Sequence, residues 1–192
     1  MSRIDELTAN LCPEGVEFRG LGEIFDYEQP SKYIVKSTAY DNSYITPVLT
    51  AGKTFVLGFT NETDNIYPAS VDEPVVIFDD FTTAFKWVDF PFKVKSSAMK
   101  ILTPKANFLE DFKYIYYAMQ VITYKPKEHA RQWIGIYSKI RIPIPPLEVQ
   151  REIVKMLDAF TELNAELNAE IEVRRLQYEY HRNHLLSFRE AS

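Results

Sequence analysis

The last 46 residues of the chain carry a hydrophobic pattern that differs from everything before them. All 11 prolines and all 6 glycines lie at or before Pro146, so this segment contains neither of the two residues that most strongly break helices. It begins Leu-Glu-Val-Gln-Arg-Glu-Ile-Val and is rich in good helix formers. We therefore predict one helix from about Pro146 to about Phe188, roughly 60 Å long at about 1.5 Å per residue.

Apolar residues recur along this segment in alternating steps of four and three, which is the spacing of a coiled-coil seam. Three polar residues, Asn164, Arg174 and His181, interrupt the seam, and two interpretations of them remain open. They set the register or polarity of a helix pair, or they lie at the solvent edge where the seam drifts. In both cases the pattern predicts a helix that packs against another long helix. The seam positions are Ile153, Leu157, Phe160, Asn164, Leu167, Ile171, Arg174, Tyr178, His181, Leu185 and Phe188.

The residues before the helix show the shorter period of β-structure. Alternating or β-branched runs between turn signals predict irregular strands at residues 43–49, 54–59, 75–78, 90–94 and 136–144. Asn107 as a cap, with Glu110 three residues later, predicts one helix with Phe108, Phe112, Ile115, Met119 and Ile122 on its apolar face. Residues 131–137 carry a weaker helix signal. We expect an α+β fold: a mainly β domain with a few short helices (residues 1–145), then one long coiled-coil helix (residues 146–192).

Composition excludes several classes of protein. The chain has 46% hydrophobic and 26% charged residues, as folded globular proteins do, and no run of about 18 apolar residues that would span a membrane. Its start, Met1-Ser-Arg-Ile-Asp-Glu, lacks the apolar core of a secretory signal, so we expect a cytoplasmic protein. The single cysteine, Cys12, cannot form an internal disulfide or build a zinc site alone.

The formal net charge of −5 conceals an uneven distribution of charge. Residues 1–85 sum to −9, residues 86–141 to +7 and residues 142–192 to −3. In the middle segment the cations alternate with aromatic residues, as in Tyr124-Lys-Pro-Lys and His129-Ala-Arg-Gln-Trp. Clustered cations neutralise phosphates, and Arg and Gln side chains can read base edges, so this segment favours binding to duplex DNA. The alternative is that its lysine-rich loops are only solvated surface.

We find no set of residues in the sequence that forms an active site. The Asn-Pro-Pro-Tyr or Asp-Pro-Pro-Tyr motif of aminomethyltransferases, a phosphate-binding loop and a dinucleotide fingerprint are all absent. Asp111 and Lys113 have the Asp-x-Lys spacing of many nucleases, but they fall in a predicted helix where that motif needs a strand. Asp79-Asp80 could bind a metal, although an acidic pair that ends an apolar run more often marks a turn. We therefore expect no catalytic residue, metal or cofactor in this chain.

The segment from Ile140 to Asp158 reads Ile-Arg-Ile-Pro-Ile-Pro-Pro-Leu-Glu-Val-Gln-Arg-Glu-Ile-Val-Lys-Met-Leu-Asp. It resembles the junction between a target recognition domain and the following helix in specificity subunits of type I restriction-modification enzymes. That junction has a strand, then Pro-x-Pro-Pro, Leu-x-x-Gln and an Ile-x-x-x-Leu-Asp helix, and each part is present here. Val16-Glu-Phe-Arg-Gly-Leu-Gly-Glu-Ile resembles the strand and turn that open the recognition domain. The resemblance spans nearly the whole chain.

This resemblance implies a non-catalytic DNA-binding subunit that directs methylation and restriction subunits to a bipartite target, with S-adenosylmethionine held by the methylation subunit. A full-length specificity subunit has two recognition domains and two long antiparallel helices, whereas this chain has one of each. It is a natural half subunit, the product of a truncated or rearranged gene, or a fragment. Because an unpartnered seam exposes an apolar stripe, we predict an antiparallel homodimer that faces inverted half-sites. The alternatives are a drifted adaptor that binds only proteins through its helix and a stand-alone DNA endonuclease.

Polar turn and loop residues that are long enough to reach a groove are the candidate DNA contacts. The first group, here called the basic loop, is Lys125, Lys127, His129, Arg131 and Gln132. The second, here called the polar set, is Thr38, Tyr40, Asp41, Asn42, Thr60 and Asn61, while Lys93 and Lys95 are predicted phosphate contacts. The alternative is that Trp133 and Ile134 anchor the basic loop and its charges only solubilise it. Predicted dimerisation residues are Ile153, Leu157, Phe160, Asn164, Leu167, Ile171, Tyr178 and Leu185.

Overall fold

The computed structural model describes residues 3–50 and 54–188. Its elements are α1 (Arg3–Leu11), β1 (Glu17–Gly20), α2 (Leu21–Ile24), β2 (Phe25–Glu28), β3 (Thr46–Leu49), β4 (Val56–Thr60), β5 (Val75–Asp79), β6 (Phe85–Val88), β7 (Lys93–Val94), β8 (Met99–Pro104), α3 (Phe112–Gln120), β9 (Arg141–Ile144) and α4 (Leu147–Leu186). Short 3₁₀ helices cover Pro30–Tyr33 and Tyr137–Lys139. These elements confirm the predicted α+β fold that ends in one long helix.

A four-stranded antiparallel sheet in the order β2-β8-β5-β6 organises the domain. Every residue of β5 is buried, because both faces of the sheet are covered. Successive side chains of a strand point to opposite faces. Accordingly, Val76 and Phe78 belong to one hydrophobic cluster, and Val75 and Ile77 belong to another. The domain therefore has two cores that share this sheet.

The first core lies between the sheet and α3. Phe78 packs against Trp133 and Tyr137, with ring centroids 5.1 and 4.8 Å away, and both of these partners are buried. Ile153 and Val154, near the start of α4, pack against the same cluster. The first turns of the long helix are thus part of the core of the domain.

The second core lies between the opposite face of the sheet and a smaller sheet in the order β4-β3-β7. In this smaller sheet β3 pairs antiparallel with β4 and parallel with β7. Leu49 and Val94 are fully buried in the second core. Tyr67 stacks on Phe92 at its border, with ring centroids 5.1 Å apart.

The start and the end of the β domain meet in a separate antiparallel pair, β1 with β9. Two prolines separate β9 from α4, and Pro146 is the N-cap residue of the helix. The buried amide of Gln150 then fixes the helix in place. Its nitrogen donates to the Pro145 carbonyl oxygen (2.7 Å), and its oxygen accepts from the backbone N–H of Asp111 (2.9 Å). These bonds set the direction in which α4 leaves the domain.

Further contacts hold the next turns of α4. The ammonium of Lys113 on α3 lies 3.6 Å from the carboxylate of Asp158, and the hydroxyl of Tyr117 donates to the same carboxylate. On another side, Arg3 of α1 lies 3.7 Å from Glu152. Every residue from 159 to 178 is exposed, so the longer part of the helix lies outside the domain.

Two local predictions were wrong. The helix cap is Asp111 and not Asn107, since the Asp111 carboxylate accepts hydrogen bonds from the N–H groups of Lys113 and Tyr114 (2.9 and 3.1 Å). This cap lies next to the first helical residue, whereas Asn107 lies in a turn before it. Of the predicted helix at 131–137, residues 133–136 form turns and only Tyr137 is helical, as the first residue of a short 3₁₀ helix.

Several elements escaped prediction, among them α1, α2, β6 and β8. Strand β8 carries Lys100 in its second position, and a lysine there interrupts the apolar run by which a buried strand is recognised. The predicted strand at 90–94 is reduced to the two residues of β7, and the one at 136–144 begins only at Arg141. The long helix was predicted within two residues at each end.

Candidate nucleic-acid interface

The basic loop connects α3 to the short helix before β9. Its Lys125, Lys127, His129 and Arg131 are all exposed. Three cations within seven residues create a local positive potential of the kind that attracts DNA phosphates. The structure therefore places four of the five predicted residues of this loop where a duplex could reach them.

Gln132, the fifth residue of the basic loop, does not lie at the surface. Its side chain is buried, with 3% of the residue exposed. The amide nitrogen donates to the carbonyl oxygen of Ala130 (2.7 Å) and, at 3.4 Å, to that of Glu128, while the amide oxygen accepts from the Tyr124 hydroxyl (2.7 Å). Because these bonds occupy the amide, the prediction that Gln132 is an exposed DNA contact is wrong. Gln132 braces the loop from inside.

The fully buried carboxylate of Asp80 lies beneath the loop. Its Oδ1 accepts hydrogen bonds from the backbone N–H groups of Gln132 (3.1 Å) and Trp133 (2.9 Å). Its carbonyl oxygen accepts a second bond from the N–H of Gln132 (2.8 Å). Asp79-Asp80 does end a strand at a turn, as predicted. The contact between Asp80 and a loop 50 positions later has no local signal in the sequence.

Two cations share the other oxygen of Asp80. Lys100 Nζ lies 3.2 Å and Arg131 Nη1 3.6 Å from Asp80 Oδ2. The Lys100 side chain is 1% exposed, whereas that of Arg131 is 51% exposed. With its amide oriented to satisfy both cations, Gln29 accepts from Lys100 (2.9 Å) and Arg131 (3.0 Å). The guanidinium is thus held on one side and open to solvent on the other.

The residue after Asp80 holds the loop at a further point. The ring of Phe81 stacks on the imidazole of His129, with centroids 4.7 Å apart and planes inclined by 18°. His129 is exposed and Phe81 is half-buried. Two successive residues of one turn therefore contact successive parts of the basic loop.

The polar set forms where the segment before β3 meets the end of β4. The backbone N–H of Asp41 donates to the carbonyl oxygen of Phe59 (3.1 Å), which brings residues 38–42 beside Asn61. Thr38, Asn42 and Asn61 are exposed, and Tyr40 is half-buried. Thr60 is buried, with 1% exposure, so its prediction as a contact is wrong. Hydrogen bonds from Ser43 lower the pKa of the exposed Asp41 carboxyl.

Lys93 is not a surface cation. Its side chain has no exposed area, its ammonium lies 2.9 Å from the Glu62 carboxylate, and it donates to the carbonyl oxygen of Asp64 (2.7 Å). Glu62 also accepts from the backbone N–H groups of Lys36 and Ser37, both at 2.8 Å. The prediction that Lys93 contacts phosphate is therefore wrong. Lys93 and Glu62 instead anchor the segment that leads into the polar set.

Lys95 connects the two groups of candidate residues. Its ammonium lies 5.9 Å from the centroid of the Tyr40 ring, and it is half-buried. Three residues later, the carbonyl oxygen of Ala98 accepts from the backbone N–H of Asp80 (3.0 Å). Lys95 and Ala98 are at most about 11 Å apart along the chain, so one short segment contacts both the polar set and the turn beneath the basic loop.

The predicted dimerisation residues divide into two groups on α4. Ile153 and Leu157 are half-buried, and Ile153 packs on the core of its own domain. The remaining predicted residues are exposed: Phe160, Asn164, Leu167, Ile171, Tyr178 and Leu185. The unpartnered apolar stripe therefore begins near Phe160, seven residues later than predicted.

Within residues 3–50 and 54–188, no three His, Cys, Asp or Glu side chains come together closely enough to hold a metal ion. None of the helices in these ranges combines the length and the apolar character that a membrane crossing requires. Asp111 and Lys113 serve as a helix cap and an ion-pair partner of α4.

Comparison with known proteins agrees with this architecture. Residues 13–173 match the family described as type I restriction modification DNA specificity domain. The chain is 52% identical to the type I restriction enzyme EcoR124I/EcoR124II specificity subunit of Escherichia coli, over 200 aligned positions. A second relative is the Mycoplasma pneumoniae protein whose name reads "Putative type I specificity subunit S.MpnORF289P C-terminus". The two are 33% identical over 44% of this chain and 61% of that protein.

Solved structures show the same fold. A type I restriction-modification S subunit from M. genitalium superposes with a TM-score of 0.64 at 16% identity, over 87% of this chain and 45% of that one. A chain from a structure of type I R-M complex assembly gives a TM-score of 0.55 at 17% identity, over 85% and 44% of the two chains. The alignment with the E. coli subunit includes the whole of this chain but only 49% of that subunit. It thus spans about half of that relative.

Proposed function

Since the chain belongs to the type I restriction modification DNA specificity domain family, we propose that it is the DNA-reading component of such a system and directs methylation and restriction subunits to a bipartite target. The alternation of exposed cations on the basic loop with buried anchors beneath it carries this proposal. Lys125, Lys127 and Arg131 face solvent, while Gln132 and Trp133 secure the backbone. A loop that is charged outside and fixed inside can present the same groups to each duplex that it meets.

Direct reading of bases falls to Arg131, His129 and the exposed members of the polar set. An arginine donates two hydrogen bonds to guanine in the major groove, and the half-exposed guanidinium of Arg131 has donors free of its partner Asp80. Lys125, Lys127 and Lys95 would contact phosphates, which orient the domain without reading sequence. The short link between Lys95 and Ala98 supports this scheme, because it joins a contact of the polar set to a contact of the turn beneath the basic loop.

The chain itself would carry out no chemistry in this scheme. Methyl transfer from S-adenosylmethionine and DNA cleavage would belong to the partner subunits, which this protein would position on the target. The family resemblance of the strand-to-helix junction supports this division, as does the use of Asp79, Asp80, Asp111 and Lys113 in structural contacts. The carboxylates of a nuclease would instead converge on a metal.

The exposed stripe of α4 supports pairing of two copies in an antiparallel homodimer. Its apolar members Phe160, Leu167, Ile171 and Leu185 are each about half exposed or more, and soluble monomers rarely leave so long a stripe uncovered. A two-fold pair would place the two recognition domains at opposite ends of the helices. The target would then consist of inverted half-sites at a fixed separation.

Co-expression with the methylation subunit tests the proposed function. We expect the tagged chain to co-purify with that subunit and the complex to methylate one bipartite motif with inverted halves, read out by sequencing methylated bases. Methylation of no defined motif would contradict the proposal. Co-purification without salt-sensitive DNA binding would instead indicate an adaptor, and cleavage by the purified chain with magnesium alone would indicate an endonuclease.

A further inference from the structure

We propose that the turn between β5 and β6, residues 79–84, positions the basic loop for DNA, and that Asp80 is a positioning residue which acts through Arg131. This inference rests on the proposed function, since it concerns how the same surface reads DNA. The turn and the loop are about 50 residues apart in sequence. They meet through contacts of three different kinds, and each involves Asp80 or its neighbour.

The first kind of contact fixes the loop backbone. Asp80 accepts the N–H groups of Gln132 and Trp133 through its carboxylate and the N–H of Gln132 through its carbonyl oxygen. A carboxylate that accepts two adjacent backbone N–H groups holds the peptide between them in one orientation. The backbone that follows Arg131 is therefore fixed at the point where the side chain begins.

The second kind of contact aims the guanidinium. Asp80 Oδ2 attracts Arg131 Nη1 at 3.6 Å while the fully buried Lys100 lies 3.2 Å away. Lys100 is the nearer counter-charge of Asp80, whereas the pair with Arg131 is longer and leaves the arginine side chain half exposed. Lys100 in turn lies 4.5 Å from the centroid of the Tyr27 ring. The contacts with Asp80 and Gln29 both involve Nη1, so they orient Arg131 through one end of its guanidinium.

The third contact is the stack of Phe81 on His129. It holds the loop two residues before Arg131, whereas Asp80 holds it immediately after. Arg131 therefore projects from a short segment of the loop, residues 129–133, that is held at both ends. Ordering a reading loop before binding removes an entropic cost from recognition.

The turn that provides these contacts is itself strained. Thr83 has φ +61° and is buried, and a β-branched residue adopts this left-handed conformation only where the surroundings impose it. Here the N–H of Thr83 donates to the Asp79 carbonyl oxygen (3.0 Å). The Asp79 carboxylate accepts from the N–H of Phe81 (2.9 Å) and the hydroxyl of Thr82 (2.6 Å). Strain kept in a turn whose Asp80 and Phe81 both contact the basic loop is consistent with a positioning role.

The experiment compares variants of the full chain on two duplexes. Selection from random-sequence duplex DNA by the wild-type chain gives the preferred motif, and a scrambled duplex of equal composition serves as the reference. The ratio of the two affinities is then measured for Asp80→Asn, Phe81→Ala, Arg131→Ala and the Asp80→Asn/Arg131→Ala double variant. Glu110→Gln is the matched control, because Glu110 is a mostly buried carboxylate that pairs with Arg19 away from the loop.

We expect Asp80→Asn and Phe81→Ala each to lower the ratio by about tenfold, with little change in affinity for the scrambled duplex. Glu110→Gln should keep the wild-type ratio even if its melting temperature falls. The double variant should lose no more than Arg131→Ala alone, because residues that act through one another are not additive. If Asp80→Asn does not fold, since Lys100 would lose its buried counter-charge, Phe81→Ala decides the question.

The failures of the two proposals can be distinguished. If the wild-type chain selects no motif, the proposed function fails and this inference fails with it. If a motif is selected but Asp80→Asn and Phe81→Ala keep the wild-type ratio, only the positioning role is overturned. Additive losses in the double variant would also overturn it, because they would assign Asp80 a general role in stability.

Discussion

The ammonium of Lys93 lies 2.9 Å from the carboxylate of Glu62 at a point where the lysine side chain has no exposed area. Glu62 also accepts hydrogen bonds from the backbone N–H groups of Lys36 and Ser37. The pair therefore links the start of β7 to residues 36 and 37. Burial of Glu62 acts to raise its pKa, but the hydrogen bonds from Ser37, Lys93 and Lys36, together with the charge of Lys93, lower the pKa overall. This carboxyl group is thus held in its ionised form in the folded protein.

Replacing Glu62 should destabilise the protein in a pH-dependent way. Glu62→Gln leaves Lys93 buried without a counter-charge, so we expect the free energy of unfolding at neutral pH to fall by about 3 kcal/mol. A carboxyl group whose pKa is lower in the folded state stabilises the protein above its unfolded pKa, near 4.5, and loses this effect as pH falls through the folded pKa. Urea unfolding at a series of pH values measures the difference.

The wild-type protein and Glu62→Gln should therefore converge in stability as the solution is acidified below about pH 4.5. Glu14→Gln is a control, because Glu14 is exposed. A difference that widens on acidification would contradict the pKa direction and its assigned cause.

Arg131 and Lys127 should differ in what they contribute to DNA binding. Arg131→Ala should weaken binding to the preferred motif by about 1–3 kcal/mol and binding to random DNA much less, because a bidentate contact to a base is lost. Lys127→Ala should weaken both equally and reduce the slope of log affinity against log salt by about 1. Fluorescence anisotropy over a salt series separates the two outcomes. Equal losses on both duplexes for Arg131→Ala would assign it to phosphate.

Gln132 should contribute to the stability of the folded protein rather than directly to DNA binding. Gln132→Ala removes the hydrogen bonds to Tyr124 and to the carbonyl oxygen of Ala130, so we expect a loss of about 1–3 kcal/mol in the free energy of unfolding. Gln120→Ala, at the exposed end of α3, is the matched control and should be nearly neutral. Chemical denaturation measures both variants. Stability equal to wild type for Gln132→Ala would show that the buried amide contributes nothing.

A charge in the centre of the helix stripe should abolish pairing of two copies. Ile171→Glu places a carboxylate at a seam position, where the antiparallel dimer would bury it without a partner. Val173→Glu is the matched control, because Val173 is also exposed but lies at an outer heptad position. Sedimentation velocity at micromolar concentration should give a monomer for Ile171→Glu and a dimer for Val173→Glu. A wild-type monomer would exclude the homodimer.

The buried polar residues show where reasoning from sequence failed. Lys93, Lys100 and Gln132 occur in a basic segment and resemble solvated residues, yet all three are buried. Each has a partner that compensates its burial: Glu62 for Lys93, Asp80 for Lys100, and Tyr124 for Gln132. The first two partners lie 20 or more positions away, beyond the reach of any local pattern. A lysine at an otherwise buried strand position, as in β8, was the one available signal.

The sequence by itself determined the long helix, the β-rich domain before it and the family to which the junction at Pro143–Asp158 points. Hydrophobic periodicity, proline position and motif spacing depend only on residues that are near one another in the sequence, so they can be recognised without the tertiary structure. The tertiary structure alone decided which cations face solvent and which are buried, and it brought Asp80 beneath Arg131. A buried charge needs a counter-charge, and for Lys93 and Lys100 a distant part of the chain supplies it. For that reason the exposed residues of the candidate nucleic-acid interface could be identified only from the folded structure.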